Sequence, residues 1–95
     1  MKYIKTYENI KQEPVINYYE NGQKHSEYYY LNDVSHREDG TAIQIWLDNG
    51  QKRSEYYCLN DKHYPREKWL EQLKKIKSPH YEDQLIKYEA EKYNL

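Results

Sequence analysis

One segment of this chain occurs twice. Residues 49–61 repeat residues 21–33 at a distance of 28 positions, and the two copies differ only where His25 stands against Arg53 and Tyr30 against Cys58. Similarity at a fixed period indicates a repeat architecture. Because a catalytic constellation is usually made once, the repetition also argues against an active site built from repeated residues.

The composition limits the range of function classes. With 95 residues the chain forms a single small domain, in which 13 tyrosines and 2 tryptophans supply much of the contact area. Its 15 basic and 16 acidic side chains leave a net charge of −1. Such a balance argues against a strong nucleic-acid binder and against an acidic mimic of DNA.

The first residues and the single cysteine indicate the compartment. One cysteine cannot form an internal disulfide, and the N-terminus lacks the apolar run of a signal peptide. No stretch is long and apolar enough to span a bilayer. We therefore expect a cytoplasmic protein that does not cross a membrane.

The turn signals divide the chain into elements. Asn21-Gly22 and Asn49-Gly50 each predict a two-residue type I′ turn, which places one hairpin repeat at 15–33 and the other at 43–61. Residues 34–42, rich in turn formers, form a linker turn. Residues 1–14 are expected to form an edge strand that shields the sheet, ending at Pro14.

A type I′ turn fixes the register of the second hairpin. It places Trp46 opposite Arg53 and Ile43 opposite Tyr56, so Trp46, Arg53 and Tyr57 share one face. By the same count Tyr18, His25 and Tyr29 share the equivalent face of the first hairpin. A cation–π contact is expected between Trp46 and Arg53.

Two helices are predicted after the repeats. Pro65 suits the first position of a helix over 65–77, Glu67 lies in its first turn, and Trp69 belongs to its apolar stripe. This helix should cap the sheet. A second helix over 79–94 carries a stripe formed by Tyr81, Leu85, Tyr88 and Leu95, which either folds back on the sheet or pairs with a second copy in a homodimer.

The predicted fold class is α+β: a curved antiparallel sheet made of two repeated β-hairpins and an N-terminal strand, followed by two C-terminal helices. The strand end Tyr29-Tyr30-Leu31-Asn32-Asp33, the run from His36 to Ala42 and the strand closing on Asn-Gly-Gln-Lys together resemble the hairpin repeats of small bacteriophage and bacterial proteins. Those are variants of MORN repeats, and some are described as antitoxin-like. The resemblance covers roughly residues 15–70.

The resemblance has two departures. Thr41 stands where the phage-type repeat usually has proline, and the second copy passes to Lys62-His63-Tyr64-Pro65 in place of the His-Arg-Glu-Asp-Gly run. What the resemblance implies is a phage- or prophage-encoded protein that inhibits or neutralises a host protein, such as a defence component or a toxin.

The chemical candidates favour structural roles. Cys58 is matched by Tyr30 in the first copy, which indicates a packed thiol rather than a nucleophile. The four histidines lack metal-ligand spacing, so no metal and no cofactor is expected. The repeated Glu27 and Glu55 are explained by cross-strand pairing. No catalytic residue is predicted.

Binding of another protein is therefore the predicted function. The outward-facing set of side chains should form the protein-binding surface, with Trp46 and Arg53 as its anchors: Tyr18, His25, Tyr29, Trp46, Arg53 and Tyr57. The alternative protein-binding site is the Tyr81, Leu85 and Tyr88 stripe. The alternative function is nucleic-acid binding through tyrosine stacking and the Lys74, Lys75 and Lys77 cluster.

Overall fold

A computed structural model describes residues 12–93 of the chain. Within these residues, seven strands precede two helices: β1 Val15–Tyr18, β2 Lys24–Tyr28, β3 Tyr30–Leu31, β4 Val34–Ser35, β5 Ile43–Trp46, β6 Lys52–Leu59, β7 Lys62–Tyr64, α1 Arg66–Lys75 and α2 Tyr81–Lys92. Five strands form an antiparallel sheet in the order β1-β2-β5-β6-β7, and β3 pairs with β4. This α+β architecture confirms the predicted fold class. Most of the expected edge strand at 1–14 lies outside the described residues, and residues 12–14 are not in a strand.

The two hairpins have the same register. Val15 pairs with Tyr28 in the first hairpin, and Ile43 pairs with Tyr56 in the second, 28 positions later. All four residue pairs of β1 with β2 recur between β5 and β6 at this offset. The sequence repeat is therefore a structural repeat, and β2 joins the two copies by pairing with β5.

The Asn-Gly turns differ from the predicted type. Gly22 and Gly50 have positive φ, +89° and +91°, but the asparagine before each does not. The Gly22 N–H donates to Tyr19 O at 3.0 Å, and the Tyr19 N–H donates to Gln23 O at 2.8 Å. This is a three-residue loop in which a type I turn is followed by a glycine bulge. The predicted type I′ turn is wrong at both places.

Type I′ turns occur instead at the Asn-Asp pairs. Asn32 and Asp33 both have positive φ, 52° and 68°, and Asn60 and Asp61 repeat this conformation at 50° and 70°. These turns connect β3 to β4 and β6 to β7. Each repeat unit therefore contains a second tight hairpin after the first.

A second irregularity lies in the strand after each Asn-Gly turn. Asn17 pairs with Ser26 while Tyr18 pairs with Lys24, so His25 is the extra residue of a β-bulge. Arg53 has the equivalent position, because Ile45 pairs with Ser54 and Trp46 with Lys52. The predicted pairing of Trp46 with Arg53 is therefore wrong.

The predicted linker at 34–42 is a packed joint that begins with strand β4. His36 and Glu38 are buried, with His36 Nε2 3.0 Å from Glu38 Oε2. The backbone N–H of Asn60 donates to His36 Nδ1 at 3.0 Å, which ties the joint to the second repeat. Because Nδ1 accepts this bond, Nε2 carries the proton and donates to the Glu38 carboxylate.

Arg37 gives the joint its shape. Its Nε donates to Asp39 at 2.8 Å, its Nη1 donates to Thr41 O at 3.1 Å, and its guanidinium carbon lies 3.8 Å from the centre of the Tyr29 ring. Gly40 has φ +156°, and a Cβ at this position would lie 3.2 Å from the guanidinium. The backbone angle favours glycine there, and a Cβ would displace the Arg37 guanidinium by a few tenths of an ångström.

The main core lies where the helices cover the second repeat. Trp69 and Leu73 of α1 are completely buried and pack with Leu70 and Leu59. Trp69 Nε1 donates to Arg37 O at 3.2 Å, so α1 also contacts the joint. Trp69 is thus the buried cap that the sequence predicted.

The helix ends follow the expected electrostatics with one difference. Glu67 lies in the first turn of α1, and Lys74 and Lys75 lie in the last. Pro65 is the N-cap residue rather than the first helical residue. Lys77 takes the left-handed conformation with φ 57° after α1, and Ser78 N–H donates to Leu73 O in a Schellman motif.

The two helices within residues 12–93 are short. Neither α1 nor α2 is long and apolar enough to cross a bilayer.

Candidate functional site

The helices leave part of one sheet face uncovered. Tyr57 and Leu59, at the end of β6, pack against the helical core. Because side chains alternate along a strand, Glu55 lies on the same face, outside the helical cover. The uncovered part is called the open face here. Ile16 and Gln44, both opposite Glu27, belong to it, and its aromatic and charged side chains are Tyr18, Lys24, Glu27, Trp46, Lys52 and Glu55.

The aromatic residues of the open face are separated by lysine. Tyr18 is 61% exposed, and Trp46 has the equivalent position in the second repeat and is half-buried. The Lys24 Nζ lies 5.6 Å from the centre of the Trp46 ring. The cation over Trp46 is therefore Lys24 of the first repeat, in place of the predicted Arg53.

Each bulge brings a lysine and a glutamate together. In a regular strand, residues three apart point to opposite faces, but the bulge at His25 turns Lys24 to the face of Glu27. Lys24 Nζ and Glu27 Oε1 are 3.4 Å apart, and Lys52 Nζ and Glu55 Oε1 are 3.1 Å apart. The open face therefore combines two aromatic rings with two ion pairs and has no net charge.

The same bulge moves His25 away from the predicted binding set. Its ring meets Tyr19 edge-on at 4.9 Å, and its Nδ1 lies 3.2 Å from Ser26 Oγ. Ser26 is buried and accepts a hydrogen bond from Asn17 on the reverse face of the sheet. His25 thus lies on the reverse face, and Arg53 is exposed at the matching bulge.

Tyr29 and Tyr57 are engaged within the chain. Tyr29 lies under the Arg37 guanidinium and donates from its hydroxyl to Glu27 at 3.2 Å. The Tyr57 ring centre is 4.6 Å from that of Trp69, and Arg66 lies over its ring at 5.7 Å. Burial raises the pKa of both phenols. Of the six predicted binding residues, only Tyr18 and Trp46 belong to the open face.

The alternative stripe on α2 is also used internally. Tyr81, Leu85 and Tyr88 are half-buried and pack against the core around Trp69. The stripe folds back on the protein, the first of the two outcomes expected for it. Leu95 lies outside the described residues.

The other chemical candidates from the sequence are the single cysteine, the possible metal ligands and the lysine cluster. Cys58 is completely buried, and burial raises the pKa of its thiol to about 11, so the nucleophilic thiolate is disfavoured. Within residues 12–93, no three histidine, cysteine or carboxylate side chains are grouped to hold a metal. Lys74, Lys75 and Lys77 are exposed at the end of α1.

Comparison with protein-family models, curated proteins and solved structures finds no match to this chain. The resemblance to MORN-variant hairpin repeats therefore stays a prediction, and the site rests on its own geometry.

The four charged residues of the open face were missing from the predicted binding set: Lys24, Glu27, Lys52 and Glu55. The sequence holds one signal for them, because a Lys-x-x-Glu spacing recurs at 24–27 and 52–55. In a regular strand that spacing would place the two charges on opposite faces. The spacing therefore indicates an ion pair only if the strand contains the bulge.

Proposed function

We propose that this protein is a non-catalytic module that binds another protein through the open face. The observation that carries the proposal is that α1 and α2 cover this side of the sheet only around Tyr57 and leave the open face uncovered. Tyr18 stays 61% exposed beyond that cover, and Trp46 stays half-buried. Aromatic side chains of this kind, surrounded by polar groups, dominate the energetics of protein interfaces.

The charge pattern favours a protein partner over nucleic acid. Lys24 and Lys52 are each neutralised by a glutamate within the face. A phosphate backbone requires an excess of basic groups, which this face lacks. A mixed polar rim around exposed rings is typical of protein interfaces.

The nature of the partner follows from the motif resemblance alone. On that basis we propose a bacterial host protein, such as a defence component or a toxin, which the module inhibits or neutralises. The proposal for the open face is independent of this identity.

Affinity capture from a bacterial host lysate, with bound proteins identified by mass spectrometry, tests the proposal. We expect Tyr18→Ala with Trp46→Ala to weaken binding at least a hundredfold, roughly 2.7 kcal/mol, while the melting temperature stays near that of the wild type. His25→Ala with Arg53→Ala is the matched control, because both residues belong to the bulges and neither belongs to the open face. Unchanged binding by the first variant, or salt-sensitive binding to a random oligonucleotide instead of a protein, would contradict the proposal.

A further inference from the structure

The junction between the two repeats leaves a matching pair of unused edges. At the junction, β2 pairs with β5, with Tyr28 opposite Ile43 and Glu27 opposite Gln44. The counterpart of β5 in the first repeat is β1, and the counterpart of β2 in the second repeat is the first part of β6. Among residues 12–93, no strand pairs with the outer edge of β1 or with residues 52–56 of β6 on the side away from β5.

The backbone groups on these edges have the correct orientation. Tyr29 N–H donates to Ala42 O across the junction. The backbone N–H and C=O of Glu27 point to the same side, because residues two apart in a strand direct their backbone groups the same way. The equivalent residue in the second repeat is Glu55, whose N–H and C=O therefore point outward from β6. Ile16, the counterpart of Gln44, presents its own backbone groups outward from β1.

The side chains on the two edges are also matched. Ile43 is only 7% exposed at the junction, whereas its counterpart Val15 is 50% exposed. Tyr28 is half-buried at the junction, whereas its counterpart Tyr56 is 40% exposed. Each open edge thus exposes the apolar residue that the internal junction covers.

We propose that copies of this chain associate head to tail, with β1 of one copy adding to β6 of the next. The register follows from the internal junction: Val15 opposite Tyr56, Ile16 opposite Glu55 and Asn17 opposite Ser54. This contact is heterologous, so it leaves one free edge at each end and forms open chains of copies rather than a closed dimer.

Sedimentation velocity over a concentration series tests the association. We expect the weight-average mass of the wild type to rise with concentration. Ile16→Pro removes the outward N–H of β1, a change that edge strands tolerate, and should keep the protein monomeric. Tyr56→Lys should do the same at the other edge, while Ile86→Lys, which replaces an exposed apolar residue of α2, should assemble like the wild type.

A mixture of the two blocked variants gives the decisive result. The Ile16→Pro chain keeps an intact β6 edge and the Tyr56→Lys chain keeps an intact β1 edge, so the mixture should form a 1:1 dimer and nothing larger. Homodimers of either variant alone would indicate a symmetric contact and would overturn the proposal. Circular dichroism confirms that each variant is folded.

Cross-linking tests the register and does not depend on either blocking variant. Asn17→Cys and Ser54→Cys chains, mixed under oxidising conditions, should form a disulfide-linked heterodimer, whereas Asn17→Cys with Lys74→Cys should not. Monomeric wild type at all concentrations would refute the association. So would assembly seen only after deletion of residues 1–11, since the chain itself would then occupy the β1 edge.

Discussion

The ammonium group of Lys24 lies over the Trp46 ring, 5.6 Å from its centre, and so joins the first repeat to the second across the open face. The contact depends on the bulge at His25, which turns Lys24 to the side of the sheet on which Trp46 lies. Lys52 has the same place in the second repeat and forms an ion pair with Glu55.

A double-mutant cycle measures this contact. We expect Lys24→Met and Trp46→Leu to show a coupling of about 0.5–1 kcal/mol in the free energy of unfolding, as for exposed cation–π pairs. Lys52→Met provides the control, because it removes the same charge from the equivalent position. Equal coupling of Trp46 to both lysines would show that general electrostatics, rather than this contact, is responsible.

Burial of Trp69 predicts a large loss of stability on truncation. Trp69→Ala removes a completely buried ring and should cost about 3–5 kcal/mol. Trp69→Phe keeps most of the volume but leaves Arg37 O without its donor, at a cost of about 1–3 kcal/mol. Urea denaturation would compare the two variants, and an alanine variant as stable as the phenylalanine variant would contradict this packing.

The two Asn-Asp turns are expected to respond to the same substitution by different amounts. Asp33 and Asp61 both have left-handed φ angles, which glycine adopts without strain. Asp33→Gly relieves about 1–2 kcal/mol of left-handed strain but loses about 0.4–1 kcal/mol through the greater freedom of the unfolded chain. Stability should therefore rise by about 0.5–1 kcal/mol. Asp61→Gly should gain less, because the Asp61 carboxylate accepts a hydrogen bond from Ser35 N–H. Thermal melts of both variants check the order, and a larger gain at Asp61 would be the contrary result.

Glu38 predicts a loss of stability in acid. Its hydrogen bond from His36, aided by a bond from Ser78, holds the pKa of the carboxyl below the ordinary 4.5. A lowered folded-state pKa stabilises the protein above the unfolded-state pKa, and the stabilisation is lost as the pH falls below about 4.5 toward the folded-state pKa. In Glu38→Gln this part of the pH dependence should be missing. Unfolding free energies between pH 7 and 3 give the comparison, and parallel curves for both proteins would exclude the role of Glu38.

The Cys58 thiol is expected to react only after the protein unfolds. It is completely buried and its pKa is raised to about 11, so both access and ionisation are disfavoured. Alkylation at pH 8 should be slow in the native protein and fast in denaturant. Rapid alkylation under native conditions would mean that this part of the core opens readily.

The sequence predicted the repeat and the buried Trp69, because each depends on a local pattern. It did not predict the bulges at His25 and Arg53, because one extra residue in a strand has no sequence signature of its own. Each bulge moves the residues before it to the other face of the sheet. The Asn-Gly pairs suggested type I′ turns, yet the type I′ turns occur at the Asn-Asp pairs of both copies. Two binding candidates were therefore assigned to the wrong face.

The reach of the repeat was also underestimated. Sequence identity fades after Asp33 and Asp61, but the pairing of Tyr30 with Ser35 recurs as the pairing of Cys58 with His63. Backbone hydrogen bonds maintain this hairpin while its side chains differ. The copies are structurally equivalent through His36 and Tyr64, three residues beyond their common sequence.

The chain takes a different course directly after those two residues. Arg37 continues into the joint and the next hairpin, whereas its counterpart Pro65 caps α1. A single backbone position therefore separates continuation of the array from its termination. The length of this architecture can change in units of 28 residues. A further unit, inserted between His36 and Arg37, would pair with the preceding and the following hairpin in the way that β2 pairs with β5. Variants with three or more hairpin units would extend the sheet and its row of alternating lysines and aromatic rings while keeping the same helical terminus.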